Sequence, residues 1–156
     1  MLYGLVENVR SLFNVGAIFR TADGAGVSKL FLTGITGRPP HREIRKVALG
    51  AEESVPWEYA QESVKLAAKL KQEGIRIVAL EATKTSVPYF QLDYHFPLCL
   101  VVGHEYKGIS KPLLNIADHI VHIPMYGTKI SLNVAVAFGI VAYHVVHAKR
   151  PEGVLP

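Results

Sequence analysis

The chain has one cysteine, Cys99, in 156 residues. No intrachain disulfide can form, which points to a reducing compartment. Cys99 lies in the apolar run 96–102, where a small buried residue is the ordinary role and a nucleophile is not. The seven histidines lack metal-ligand spacing. His144 and His147 stand three apart with no third ligand, and His119 and His122 fall on opposite faces of a strand, so no metal site is expected. The dinucleotide fingerprint is missing, because Gly24-Ala25-Gly26 falls at the end of a helix and not after a strand. The phosphate loop fails too, since Gly127-Thr128-Lys129 has His122 where the first glycine belongs. No basic region precedes an apolar stretch at the N-terminus, so no signal peptide is expected. The longest apolar segment falls short of the roughly 20 residues that a membrane span needs. These absences describe a soluble cytoplasmic protein.

Hydrophobic residues make up 49% of the chain, which excludes a disordered chain. The length suits one domain with a real core, read here as residues 1–150 with a tail at 151–156. A net charge of +4 and a pI near 9.2 suit an anionic partner without identifying one.

Apolar runs alternate with helical stretches. Strands are predicted over 2–7, 29–33, 55–59, 76–81, 98–103 and 119–123. Helices are predicted over 15–25 with Asn14 as N-cap, over 42–49, over 61–72 ending near Gly74, and from Val134 onward with Ser131 as N-cap. The strands show no clean alternation of apolar and polar residues, the mark of strands buried on both faces. The expectation is an α/β protein with a mostly parallel sheet flanked by helices.

Three polar segments interrupt this pattern at strand–helix junctions. The first is Asn14-Val15-Gly16-Ala17-Ile18-Phe19-Arg20. Arg20 lies four residues after Gly16, on the same helix face, and helical side chains lean toward the N-terminus. Gly16 would leave open the space into which Arg20 reaches, toward the free N–H groups of the helix start, where a phosphate or a developing oxyanion is stabilised. The second is Gly103-His104-Glu105-Tyr106-Lys107-Gly108, whose glycines allow a tight loop and close backbone approach. The third runs from Ile123-Pro124-Met125 to Ser131-Leu132-Asn133. A helix cap accounts for Ser131 but not for the whole polar stretch between two apolar segments.

In order, N-x-G-x-x-x-R, G-x-E-x-x-G and I-P-M-x-G-x-x-x-S-L-N strongly resemble the three motifs of the SpoU/TrmH group of SPOUT RNA methyltransferases, over about residues 5–147. That resemblance implies a SPOUT sheet with a C-terminal trefoil knot, which periodicity cannot reveal. It implies S-adenosylmethionine held by Leu80, Gly103, Ile123, Met125, Ser131 and Leu132. It also implies a catalytic set of Asn14, Arg20, Glu105, Ser131 and Asn133, with Glu105 paired to Asn14 or Arg20 across a subunit boundary. A guanidinium has no free lone pair at neutral pH, so Arg20 is expected to stabilise a ribose alkoxide and its phosphate, not to act as a base.

Arg38, Arg42, Arg45 and Lys46 form a basic cluster after a parallel strand, read as a candidate phosphate contact for RNA, with tRNA favoured over rRNA by analogy. The last helix is apolar nearly all round, and the resemblance implies a homodimer built on it. Val141 is expected at that interface, and Ala137 and Gly139 are expected to admit a partner helix. Two rival readings remain: a knotted relative that binds RNA without catalysis, and an ordinary nucleotide-binding α/β enzyme.

Overall fold

The computed structural model describes residues 1–149, so the tail expected at 151–156 lies outside the described residues. Its strands are β1 (Leu2–Glu7), β2 (Lys29–Thr33), β3 (Trp57–Ala60), β4 (Arg76–Leu80), β5 (Val87–Pro88), β6 (Leu98–Val102) and β7 (His119–His122). They form one sheet in the order β3-β2-β1-β6-β4-β7-β5, and every neighbouring pair is parallel. The helices are α1 (Leu12–Ala25), α2 (Arg42–Ala48), α3 (Ala51–Ser54), α4 (Ser63–Gln72), α5 (Lys111–Ile116) and α6 (Val134–Lys149).

The continuous apolar strands are explained by a core on each face. Leu2 and Val6 of β1, Leu98 and Leu100 of β6, and Leu30 and Leu32 of β2 pack with Ile18 and Phe19 of α1 and with Phe138 and Val141 of α6. The alternate residues Leu5, Ile77, Cys99 and Val101 turn to the other face, against Leu66, Ala67 and Leu70 of α4 and Leu113 of α5. Each fully buried large apolar side chain contributes about 1.5–3 kcal/mol relative to exposure. Gly4 permits a close approach within this core, since a Cβ there would lie 2.7 Å from Leu30 Cδ2 and 3.3 Å from the Phe138 ring. Burial pushes the Cys99 thiol well above its ordinary value, in keeping with a packing role.

The chain walks outward from β1 to β2 and β3, then returns to β4 on the far side of β1. β6 fills the gap between β1 and β4, and β7 lies beside β4. The direction of progression therefore changes around β1, β6 and β4, and ligand sites of parallel sheets form beyond the strand ends at such a point.

Several expected boundaries move. α1 starts three residues early, because Ser11 is its N-cap and accepts the Asn14 N–H at 3.2 Å. Asn14 is thus in the first turn, and its side chain is released for longer-range bonds. Ser131 does not cap α6 either. Asn133 does, its Oδ1 accepting the N–H groups of Ala135 at 2.9 Å and Val136 at 3.2 Å. Asparagine caps as well as serine does, and position 133 directly precedes the apolar run. β4, β6 and β7 each end one residue before the expected limit, β3 is shifted by one to two residues, and α4 begins at Ser63. α3, β5 and α5 are too short to show periodicity and were not foreseen. No helix among the described residues is long and apolar enough to cross a membrane.

Candidate active site

A cavity of about 430 Å³ opens beyond the C-terminal ends of β4, β6 and β7. Leu80 and Glu81 bound it after β4, Gly103 to Tyr106 and Gly108 after β6, Ile123 and Met125 after β7, and Ser131, Leu132, Val134 and Ala137 near the start of α6. All six residues expected around a cofactor, Leu80, Gly103, Ile123, Met125, Ser131 and Leu132, lie on its wall.

The loop after β6 is closed on itself. A Cβ at Gly103 would lie 2.5 Å from Ile109 N and 2.6 Å from Gly108 C, so only glycine fits. His104 and Gly108 exchange backbone hydrogen bonds of 3.2 and 2.9 Å. His104 Nδ1 accepts the N–H groups of Tyr106 at 3.0 Å and Lys107 at 3.1 Å. Two carboxylates from strand ends hold the next residues: Glu81 Oε2 accepts the Ile109 N–H at 2.8 Å, and Glu7 Oε2 accepts the Ser110 N–H at 2.8 Å. Glu7 is only 3% exposed. Its other oxygen accepts the hydroxyls of Ser110 and Ser63, so the buried charge is satisfied. Sequence reasoning missed Glu7 and Glu81. The available signal was position, a carboxylate closing an apolar run on the edge of the sheet where ligands bind.

A hydrogen-bond chain joins the three polar segments. Glu105 Oε1 accepts from Ser11 N at 2.9 Å and from Asn14 Nδ2 at 3.2 Å, while Oε2 accepts from Arg10 N at 3.1 Å. Asn14 Oδ1 in turn accepts from Asn133 Nδ2 at 3.0 Å. The carboxylate only accepts and the N–H groups of α6 only donate, so both amides have one possible orientation. Partial burial works against the Glu105 carboxylate. The N–H groups of Ser11, of Glu105 itself and of Arg10, with the Asn14 amide, outweigh it and hold the group below the ordinary glutamate value. The bond from Asn14 to Glu105 lies within one chain, so Asn14 reaches Glu105 without crossing a subunit boundary.

Gly16 does not open space for Arg20. A Cβ there would meet Ile44 O at 2.7 Å and Val47 Cβ at 3.0 Å, so this glycine lets α2 pack directly on α1. Arg20 is exposed, makes no ion pair among the described residues, and is not on the cavity wall. Ser131 is exposed at the cavity.

The four basic residues after β2 differ in their surroundings. Arg45 lies 3.8 Å from both Glu52 and Glu53, and Lys46 lies 3.2 Å from Glu43. The Arg38 guanidinium stacks 3.9 Å from the centre of the Tyr59 ring. Arg42 has no ion-pair partner among the described residues. Because the sheet is parallel, the loop that carries Arg38 leaves the same edge on which the cavity opens.

A parallel α/β sheet with a ligand-sized cavity at its switch point, bordered by the loop after β6 and the segment before α6, with Asn14 of the first segment bonded to both, defines the class. Residues 1–143 match the SpoU rRNA Methylase family, and the chain belongs to that family. It is 35% identical over 147 residues to the tRNA (guanosine(18)-2'-O)-methyltransferase of Aquifex aeolicus, covering 94% of this chain and 69% of that protein. It is 34% identical over 148 residues to the 23S rRNA (guanosine-2'-O-)-methyltransferase RlmB of Pseudomonas aeruginosa, covering 94% of this chain and 58% of the relative. The AdoMet-bound rRNA methyltransferase of Sinorhizobium meliloti superposes with a TM-score of 0.90 at 30% identity, covering 96% of this chain and 57% of that one. The chain thus spans between 57% and 69% of the length of these three proteins.

Proposed function

We propose that this chain transfers a methyl group from S-adenosylmethionine to the 2′-hydroxyl of a ribose in RNA, with tRNA favoured over rRNA. The observation that carries the reading is the chain Glu105–Asn14–Asn133, which ties all three motifs together beside one cavity. Membership of the family supports it, and so do relatives named for 2′-O-methylation of tRNA and rRNA.

The cavity suits the cofactor. Its volume lies in the ordinary range for small-ligand sites, and its wall combines Leu80, Ile123, Met125 and Leu132 with a few polar groups. When bound, S-adenosylmethionine supplies an electrophilic methyl group on a sulfonium. The work of the protein is to align that methyl with the ribose oxygen and to stabilise negative charge as the hydroxyl proton leaves. Asn14, Glu105 and Asn133 hold the start of α1, the loop after β6 and the start of α6 in fixed relation. Ser131 offers a hydroxyl at the cavity. Arg20 supplies the planar cation for the alkoxide and the neighbouring phosphate.

Arg20 is off the wall of its own cavity, so a second copy fits this scheme. The outer face of α6 exposes Val136, Ile140 and Tyr143, an apolar strip that suits a homodimer. α1 packs beside α6 and travels with it to the boundary, where Arg20 of one protomer serves the cavity of its partner. One earlier expectation about this face changes: Val141 is fully buried in its own domain and is not offered to a partner, while Gly139 is half-buried. A trefoil knot belongs to the same reading, supported by the insertion of β7 between the earlier strands β4 and β5. Residues 1–150 then act as one catalytic domain in the cytoplasm, where RNA is at hand and Cys99 stays reduced. The test is incubation with methyl-labelled S-adenosylmethionine and total RNA. Label in the tRNA fraction supports the reading, and label in no RNA fraction opposes it.

A further inference from the structure

Glu81 follows β4 directly, and its own N–H is donated to Val121 O at 2.9 Å, which ties its backbone to β7. Its carboxylate has two different ends. Oε2 accepts the Ile109 N–H at 2.8 Å and lies over Gly108, where a Cβ would collide with it. Oε1 has no hydrogen-bond partner among the described residues, and Glu81 is on the cavity wall. The neighbouring acceptors are taken. Both oxygens of Glu105 receive N–H groups, and Nδ1 of His104 receives two. The Nδ1 of His122 is bonded to Ser86 Oγ at 2.9 Å. Among these groups Glu81 Oε1 is the open carboxylate oxygen, held in place by the bond that its other oxygen makes. A side chain fixed in this way is a prepared acceptor for a ligand donor.

We infer that Glu81 Oε1 accepts hydrogen bonds from the vicinal 2′- and 3′-hydroxyls of the cofactor ribose, and so selects a nucleoside with an intact diol. The inference rests on the S-adenosylmethionine reading above. Leu80, Ile123, Met125 and Leu132 offer an apolar bed for a purine ring, which has one amino donor. The ribose brings two adjacent donors. An acidic residue past the end of a parallel strand is also the arrangement by which other α/β folds take ribose hydroxyls.

The test is titration calorimetry with S-adenosylhomocysteine and with its 2′-deoxy and 3′-deoxy counterparts. A hydrogen bond to a charged group predicts a loss of about 10-fold or more in the wild-type chain for each missing hydroxyl. In Glu81→Ala the intact and deoxy ligands should bind alike, and in Glu81→Gln the ratio should fall to within about threefold. The ratio is the readout because loosening the loop at Ile109 weakens every ligand together. Equal affinity of the wild-type chain for intact and deoxy ligands overturns the inference, whether or not a variant folds. So does a variant that keeps the wild-type ratio. A wild-type chain that binds none of the three ligands refutes the S-adenosylmethionine reading instead.

Discussion

Arg20 and Glu105 are both charged, but their environments assign them different work. Arg20 is exposed and unpaired among the described residues, so its charge is available to a substrate. If it stabilises the transition state, Arg20→Ala should lower turnover by about 100-fold or more, comparable to the loss of an oxyanion donor. Calorimetry should show S-adenosylmethionine affinity nearly unchanged, and Arg20→Lys should not restore the rate, because a point charge lacks the planar fork. A collapse of cofactor affinity in the folded variant would place Arg20 elsewhere. Glu105 is used up inside the protein, and its role shows in stability. Its folded pKa lies below the ordinary value of 4.5. The stabilisation it provides is present above that value and is lost as pH falls through the folded pKa. Glu105→Gln should therefore be less stable than wild type at pH 7, with the gap closing in acid. Denaturant melts at several pH values check this, and a gap that is constant down to pH 2 would contradict it.

At the scale of elements, the motifs were readable because they break the pattern that the fold imposes. Strands buried on both faces read as apolar runs, so polar residues at their ends stand out, and Gly103, Glu105 and Ser131 were found in that way. What was missed depended on neighbours distant in sequence. Gly16 has the spacing of a residue that makes room for Arg20, yet the room is filled by α2, whose position no helical wheel contains. Ser11, Asn14 and Asn133 are all good caps. Ser11 and Asn133 cap, while Glu105, 91 residues from Asn14, takes the Asn14 amide into a long-range bond. The basic cluster on and before α2 carries a prediction of its own. Among the described residues Arg42 has no ion-pair partner, whereas Arg45 and Lys46 face carboxylates. Arg42→Ala should weaken RNA binding and flatten the salt dependence by about one unit, with smaller effects at Arg45 and Lys46. Filter binding across a salt series measures this, and an unchanged slope returns the cluster to the solvated surface.

For the whole molecule, the proposed function joins two chains in one reaction. Sedimentation at micromolar concentration should give about twice the 17.1 kDa chain mass. Ile140→Glu, on the exposed face of α6, should yield a folded monomer without activity, and a fully active monomer would contradict the shared site. The reaction itself is tested most directly by alkaline hydrolysis of RNA labelled by the protein from methyl-labelled S-adenosylmethionine. Cleavage at a nucleotide requires its free 2′-hydroxyl, so a methyl on that oxygen protects the adjoining bond. Label recovered in alkali-resistant dinucleotides is the predicted result. Label recovered in mononucleotides would place the methyl on a base and contradict the account.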